Sequence, residues 1–208
     1  MSCLGEITPC KVDTALNDSC RCITGCLKPT NVDSLHVLAG IAPPGVRRSV
    51  ASRTERNRQV EDTRHPCHSH KPAPSRLKSR KSFLHTVQPL SQPPQAARLA
   101  LWEEQRTGNQ HQAKLPIQTK EQLPSGHKSE WKAWKSLNRL RTGVGRCKSN
   151  MSKWGYADAA DTACECGTSE QSMQHLLRCP LLDDQCCLED LVVANEKALH
   201  CARAWPKI

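Results

Sequence analysis

The sequence reads as a mainly α-helical protein: a small helical N-terminal bundle, a Pro-rich basic linker that is partly disordered, and a C-terminal helical segment organised on a cysteine–histidine knuckle. Three observations predict this. Apolar residues recur at helical spacing in short, separate stretches rather than in alternation. Leu, Ile, Val and Phe together make up under a fifth of the 208 residues, with one Phe and one Tyr, which is too little for one large core. Six prolines fall among polar residues from Pro66 to Pro94 and separate the two helical ends. The expected segments are 1–62 (helical), 63–125 (weakly ordered linker with one short helix), 126–182 (basic Trp-containing helix plus knuckle) and 183–208 (C-terminal helix).

In chain order, Thr8-Pro9 supplies a cap and a first helical position, and Val12, Leu16, Cys20 and Ile23 share one face up to Gly25. A second helix is expected from Thr30 to Gly40 with Val32, Leu35 and Leu38. Pro43-Pro44 break direction and a third helix turns Val46 and Val50 inward, so three short helices can share one core. Another short helix is expected around Ala96 to Gln105, with Leu99 and Trp102 for packing. Ser129 is the expected cap of a helix carrying Trp131, Trp134, Leu137 and Leu140, with at least two tryptophans in the core. Leu188, Leu191, Val192 and Leu199 suggest one last amphipathic helix.

The formal net charge is +10 and the pI near 9.1, which favours a polyanionic partner, chiefly nucleic acid. Thirteen cysteines is an odd number, and the first residues have neither a basic nor an apolar leader region. No apolar run reaches transmembrane length. The expectation is an intracellular protein of the nucleus or cytoplasm, with reduced or metal-bound thiols and no membrane partner.

From Cys164 to Pro180 the chain reads CECGTSEQSMQHLLRCP. Cys164, Cys166, His175 and Cys179 form a set suited to a closed structural zinc site, because zinc takes four thiolate or imidazole ligands in a tetrahedron. Gly167 permits the sharp turn after Cys-x-Cys. Thr168 or Ser169 is the expected cap of a helix on which His175 and Cys179 lie one turn apart, and Pro180 stops it. Buried reduced thiols are the other reading, since Cys is among the most buried residue types. Cys20, Cys22 and Cys26 read as small hydrophobes rather than ligands, and His65, Cys67, His68 and His70, like Cys186, Cys187, His200 and Cys201, are weaker candidates.

Between Arg47 and Lys81 eleven Lys or Arg face three acids, including Arg76, Lys78, Arg80 and Lys81. This is either a phosphate-tracking strip or a solvated basic surface. From Gly126 to Tyr156 eight bases face the single acid Glu130: the candidate nucleic-acid contacts here are Lys132, Lys135, Arg139, Arg141, Arg146, Lys148 and Lys153. Interleaved tryptophans suit base stacking beside phosphate neutralisation. Beyond Ala157 nine acids face four bases, so the knuckle is expected to brace the basic helix rather than grip phosphate.

The string Leu137 to Arg146 (LNRLRTGVGR), then Trp154-Gly155, Cys-x-Cys-Gly, the His175/Cys179 pair and Pro180 resembles the extreme C-terminus of the reverse transcriptase polyprotein of LINE-type, non-LTR retrotransposons of the jockey and CR1 kind. Upstream, VDTALN (Val12 to Asn17), Ile23-Thr24-Gly25, IAPP (Ile41 to Pro44) with Arg47-Arg48, and RLKSRK (Arg76 to Lys81) are similar to the region after that family's polymerase palm. The resemblance implies a thumb-like and connecting region ending in a zinc knuckle with ligands Cys164, Cys166, His175 and Cys179, in a protein that binds its own RNA and target DNA. It also implies no catalysis here. The family's aromatic-x-Asp-Asp box is missing, Tyr156-Ala157-Asp158-Ala159 lacks the second Asp, and Leu181-Leu182-Asp183-Asp184 has no β-rich flanks. The expectation is a non-catalytic, zinc-containing nucleic-acid-binding fragment derived from an RNA-directed DNA polymerase. The alternatives are a protein-interaction module presenting Met173, Leu177, Leu191 and Val192, or a decayed fragment without function.

Overall fold

A computed structural model of the chain describes residues 11–70, 87–108, 115–156 and 162–205. Among them are nine helices and no strand: α1 (Lys11–Thr24), α2 (Val32–Ala39), α3 (Pro44–Glu61), α4 (Pro94–Gly108), α5 (Trp131–Thr142), α6 (Lys148–Lys153), α7 (Met173–Leu176), α8 (Leu188–Val193) and α9 (Glu196–Ala204). The chain forms two compact units, one of residues 1–41 with 113–208 and one of 42–112. This differs from the four consecutive segments expected. In particular α3 pairs with α4 inside the second unit, while α1 and α2 belong to the first.

In the first unit α1 packs on α2 through Cys20, Cys26, Leu35, Leu38 and Ala39, closed by Leu115 from the returning chain. Cys20 and Cys26 are thus core side chains, and burial pushes the Cys26 thiol above its ordinary value. The second core is larger. Leu137 and Leu140 of α5, Leu176 of α7, Leu191 of α8 and Ala198 and Ala202 of α9 meet there, together with Cys147, Cys186 and Cys201. Two ends of chain separated by a long excursion are therefore held around α5.

Several local expectations shift. Asn31, not Thr30, caps α2, its Oδ1 accepting from the Asp33 N–H at 2.8 Å. Ser129 donates to the Gly126 carbonyl at 2.7 Å instead of capping α5, whose flanking residue Glu130 makes no side-chain cap. The last helix is two: Ala194 sits at φ +57 and Asn195 starts α9 by accepting from the Ala198 N–H. Of the tryptophans near α5 only Trp134 is fully buried; Trp131 is exposed and Trp154 half-buried.

In the second unit α3 and α4 meet at Val50, Leu90, Ala97 and Leu101, with Trp102 wholly buried. The Asn57 amide fastens the connection from both sides, accepting from the Leu90 N–H at 2.7 Å and donating to its carbonyl at 3.2 Å. His65 meets Glu55 at 2.9 Å and accepts the Cys67 N–H on its other ring nitrogen, so it is spent on local structure.

Helices α2 and α5 end alike, on a left-handed glycine whose N–H and the next bond back over the last turn. The two glycines differ in surroundings. A Cβ on Gly40 would lie 2.4 Å from the Gln122 carbonyl oxygen, whereas one on Gly143 meets open space. Both substitutions to Ala carry the left-handed penalty of about 1–2 kcal/mol, but only Gly40→Ala must also move backbone. Urea denaturation is expected to find Gly40→Ala at least twice as destabilising as Gly143→Ala, and equal losses would contradict this packing.

Candidate metal centre and cationic face

Cys164 and Cys166 stand on a tight turn. The Gly167 N–H returns to the Cys164 carbonyl at 3.0 Å, the Cys164 N–H reaches the Thr168 carbonyl at 2.8 Å, and Gly167 takes φ +91. The opposing pair comes from a helix shorter than expected. Ser172, rather than Thr168 or Ser169, caps α7, its hydroxyl accepting from the His175 N–H at 3.2 Å. Helix α7 ends at Leu176, so His175 lies in it and Cys179 just beyond, where the chain still turns with its Arg178 N–H on the His175 carbonyl.

The result is one compact donor set. The three sulfurs and an imidazole nitrogen all lie within 4.8 Å of one another, with Cys164 Sγ to Cys179 Sγ at 3.9 Å and Cys166 Sγ to His175 Nε2 at 3.3 Å. This group could hold a metal ion, and it is the one such group among the described residues. Cys164 and Cys179 are buried; Cys166 and His175 are half-buried. The thiols differ electrostatically. Hydrogen bonds from the Thr168 hydroxyl and backbone pull Cys166 down to about 6, while burial, reinforced by the neighbouring sulfurs, pushes Cys179 up to about 11.

Around this set lies a polar shell with no obvious signature in the sequence. Gln171 donates to Cys164 Sγ at 3.7 Å and to Glu165 Oε2 at 2.9 Å, while its Oε1 accepts the Lys148 N–H and its carbonyl the Ser149 N–H. One side chain thus ties the ligand turn to the start of α6. Lys148, expected to contact nucleic acid, instead pairs with Glu165 at 3.2 Å. The knuckle is also bound to the C-terminal helices: the Leu176 carbonyl accepts Trp205 Nε1 at 3.1 Å and the Leu177 carbonyl accepts the Cys186 N–H at 2.9 Å. Cys186 and Cys201 are buried in this core and Cys187 caps α8 with Asp190, so none of them joins the donor set. Met173 and Leu191 are likewise core side chains, while Leu177 and Val192 are partly buried.

Helix α5 sorts its cations by face. Arg139 and Arg141, expected to grip phosphate, are only 8 % and 4 % exposed. Arg139 Nε donates to the Gly25 carbonyl at 2.8 Å. Arg141 donates to the carbonyls of Leu191 (2.7 Å), Ser125 (2.8 Å) and Val192 (3.3 Å) and to Asn138 Oδ1 (3.1 Å), with its guanidinium 5.8 Å from the Trp134 ring centre. Burial draws Arg141 down to about 10, so it remains a cation at neutral pH. Neighbouring Trp134 Nε1 and Asn138 Nδ2 donate to the carbonyls of Ile23 and Thr24, both at 3.0 Å. Side chains at 134, 138 and 139 therefore satisfy three successive carbonyls at the end of α1, which no intrahelical N–H can reach.

The outward face of α5 keeps Lys132 and Lys135, and Arg146, in the connection to α6, lies close enough to act on Lys135. Lys132 and Arg146 are exposed, and Lys135 lies across Gly25, whose added Cβ would meet its Cγ at 2.5 Å. The Lys135 amine is pulled below its ordinary value first by burial and then by Arg139, Arg146 and Lys132. Like charges therefore crowd this face, and among the described residues no carboxylate pairs with Lys132, Lys135 or Arg146. Lys153 on α6 is exposed as well. Arg76, Lys78, Arg80 and Lys81 lie outside the described residues, as does the expected cap at Thr8-Pro9. No helix among the described residues is long and apolar enough to cross a membrane. No protein-family model, curated protein or solved structure matches the chain.

Two outcomes follow from this geometry. Replacing Arg141 by Met, similar in length, leaves the buried Leu191 carbonyl and Asn138 amide oxygen, and the part-buried Ser125 and Val192 carbonyls, short of a donor, at about 1–3 kcal/mol for each that is buried. Chemical denaturation should then show a loss of ~3 kcal/mol or more, and a loss under ~1 kcal/mol would mean the carbonyls find water. A metal entering the site must displace the proton that Cys179 holds up to about 11. Apparent affinity should therefore rise with pH, at least tenfold from pH 6 to pH 7 in a chelator competition, and a flat profile would show that no thiol loses a proton.

Proposed function

We propose that the chain is a zinc-folded, non-catalytic nucleic-acid-binding module, akin to the C-terminal region of a LINE-type reverse transcriptase. The observation that carries this reading is the cationic face made by Lys132 and Lys135 of α5 with Arg146 just beyond the helix. Burial, then Arg139, Arg146 and Lys132, hold the Lys135 amine below its ordinary value; Lys132, Lys135 and Arg146 have no carboxylate partner among the described residues, and Lys132 adjoins Trp131, which is 53 % exposed. Such a cluster is relieved by a polyanion, and phosphates supply both the charge and the spacing. An exposed indole among cations adds a surface on which a base can stack.

Zinc is the ion that suits the donor set. Three thiolates and one imidazole in a closed, largely buried group match its preferred ligands. A tetrahedron with zinc–sulfur bonds of about 2.3 Å places neighbouring sulfurs roughly 3.8 Å apart, against 3.9 Å between Cys164 and Cys179. The ion's role is structural: Cys164 and Cys179 share a core with Leu137 and Leu140, so holding the ligands together sets the helix that bears the cations. The order of motifs from LNRLRTGVGR to the Cys179-Pro180 end supports the retrotransposon relationship, with the element's RNA and target DNA as partners.

One zinc per chain is expected by elemental analysis, with loss of helical circular dichroism on chelation, and His175→Ala should lose both properties. In anisotropy titrations with a single-stranded oligonucleotide, log affinity should fall linearly with log salt. Substituting Lys132, Lys135 and Arg146 together by Gln should flatten that slope by about 2, at roughly 0.7 per phosphate contact. Absence of binding at low salt, or a slope unmoved by the triple substitution, would overturn the reading.

A further inference from the structure

A second aromatic and cationic site lies beside this face. A cleft of about 670 Å³ is bounded on one side by Leu27, Lys28 and Pro29, the loop that follows α1, and on the other by Met151, Trp154 and Tyr156 at the end of α6, with Arg146 also in its lining. Its volume falls in the range of small-ligand pockets. Two aromatic rings and two cations line it, and no acidic residue does.

The arrangement of the rings is built rather than incidental. Helix α6 ends with Gly155 at φ +76, whose N–H returns to the Ser152 carbonyl at 3.0 Å while the Tyr156 N–H returns to the Met151 carbonyl at 2.9 Å. This double bond pattern places the residue after the glycine against the residue that opens the last turn, so Tyr156 and Met151 are brought to the same wall. Trp154 immediately precedes the glycine and is half-buried. Tyr156 is 76 % exposed, and among the described residues no hydrogen bond engages its hydroxyl. The chain thus holds its only tyrosine in solvent at a defined position, next to an indole and two cations.

We propose that this cleft receives one unpaired base of a single-stranded nucleic acid, stacked on Tyr156 and Trp154, while Arg146 and Lys28 contact the flanking phosphates. The inference rests on the nucleic-acid reading above and adds what that reading lacks: a preference for single strands over duplex. A cationic strip alone follows backbone charge in either form. A ring in a cleft engages a base only when that base is out of its pair, and every base offers a π face, so little sequence preference is expected. Arg146, which crowds Lys135 on one side and lines the cleft on the other, joins the two surfaces into one track.

The test compares anisotropy titrations of the full chain with a labelled single-stranded RNA, a single-stranded DNA of the same sequence, and their fully paired duplexes. Tyr156→Ala should weaken single-strand binding about tenfold, in line with the loss of one stacked base. Duplex binding and the salt slope should not change, because the ring neutralises no phosphate. Tyr156→Phe keeps the ring and should bind as the parent does. Lys28→Gln should instead flatten the salt slope by about 0.7. A tenfold loss on either single strand supports the cleft, and the strand on which it occurs identifies the sugar chemistry accepted. Unchanged single-strand affinity for Tyr156→Ala, or equal losses on single strands and duplex, overturns the cleft while leaving salt-dependent binding intact. Failure of the parent chain to bind any of the four at low salt overturns the nucleic-acid reading itself, so the two failures are distinct. Circular dichroism and zinc content of Tyr156→Ala should match the parent, since the side chain lies outside the cores.

Discussion

The first unit depends on side-chain donors of α5 reaching backbone carbonyls that have no other partner. Trp134, Asn138 and Arg139 satisfy Ile23, Thr24 and Gly25 at the end of α1, while Arg141 gathers Ser125, Leu191 and Val192. Without them the buried carbonyls of Thr24, Gly25 and Leu191 would lack a donor, each costing more than a net hydrogen bond returns. Buried guanidinium groups are expensive to desolvate, yet Arg141 spends four donors on fixed acceptors and rests beside an indole, so its charge is met by dipoles instead of a carboxylate. That choice fits the place: a counter-ion inside this small core would have needed its own satisfaction.

The cysteine knuckle complements this clasp from the other side. A chain with few aliphatic side chains gains core volume from sulfur, and Cys147, Cys164, Cys179, Cys186 and Cys201 lie among the leucines of α5, α7 and α8. Drawing four donor atoms within a few ångströms of each other fixes the ligand turn against α7, and the Leu176 and Leu177 carbonyls carry that order to α9 and to the start of α8. Gln171 and the Lys148–Glu165 pair pass it on to α6. The donor set, the C-terminal helices and the start of α6 are therefore joined by one run of hydrogen bonds, beside the helix that carries Lys132 and Lys135.

One helix thus serves two opposite electrostatic tasks. Inward, arginine acts as a fork of donors; outward, Lys132 and Lys135 have no carboxylate partner among the described residues. The division follows helical geometry, since 134, 137, 138 and 141 share a face and 132, 135 and 139 begin to turn away from it. Arg139 sits at the boundary, buried by its bond to Gly25 but still close enough to Lys135 to lower its charge.

Helical class, the positions of α1, α2, α4 and α5 and the four donor residues were all legible from the amino-acid order. Periodicity of apolar residues, glycine stops and short-range ligand spacing are properties of neighbours in the chain, and a single sequence carries them in full. Cys20 and Cys26 as core residues were legible for the same reason. The burial of Arg139 and Arg141 was not: an arginine on a helix looks the same whether it faces solvent or a carbonyl far along the chain, Gly25 for Arg139 and Leu191 for Arg141. Nor was the division that sends α3 to α4, the split of the last helix at Ala194, or the cap at Ser172, where two hydroxyls upstream were equally good candidates. Each depends on which distant backbone groups are left without a partner once the chain is packed, and that accounting exists only in three dimensions.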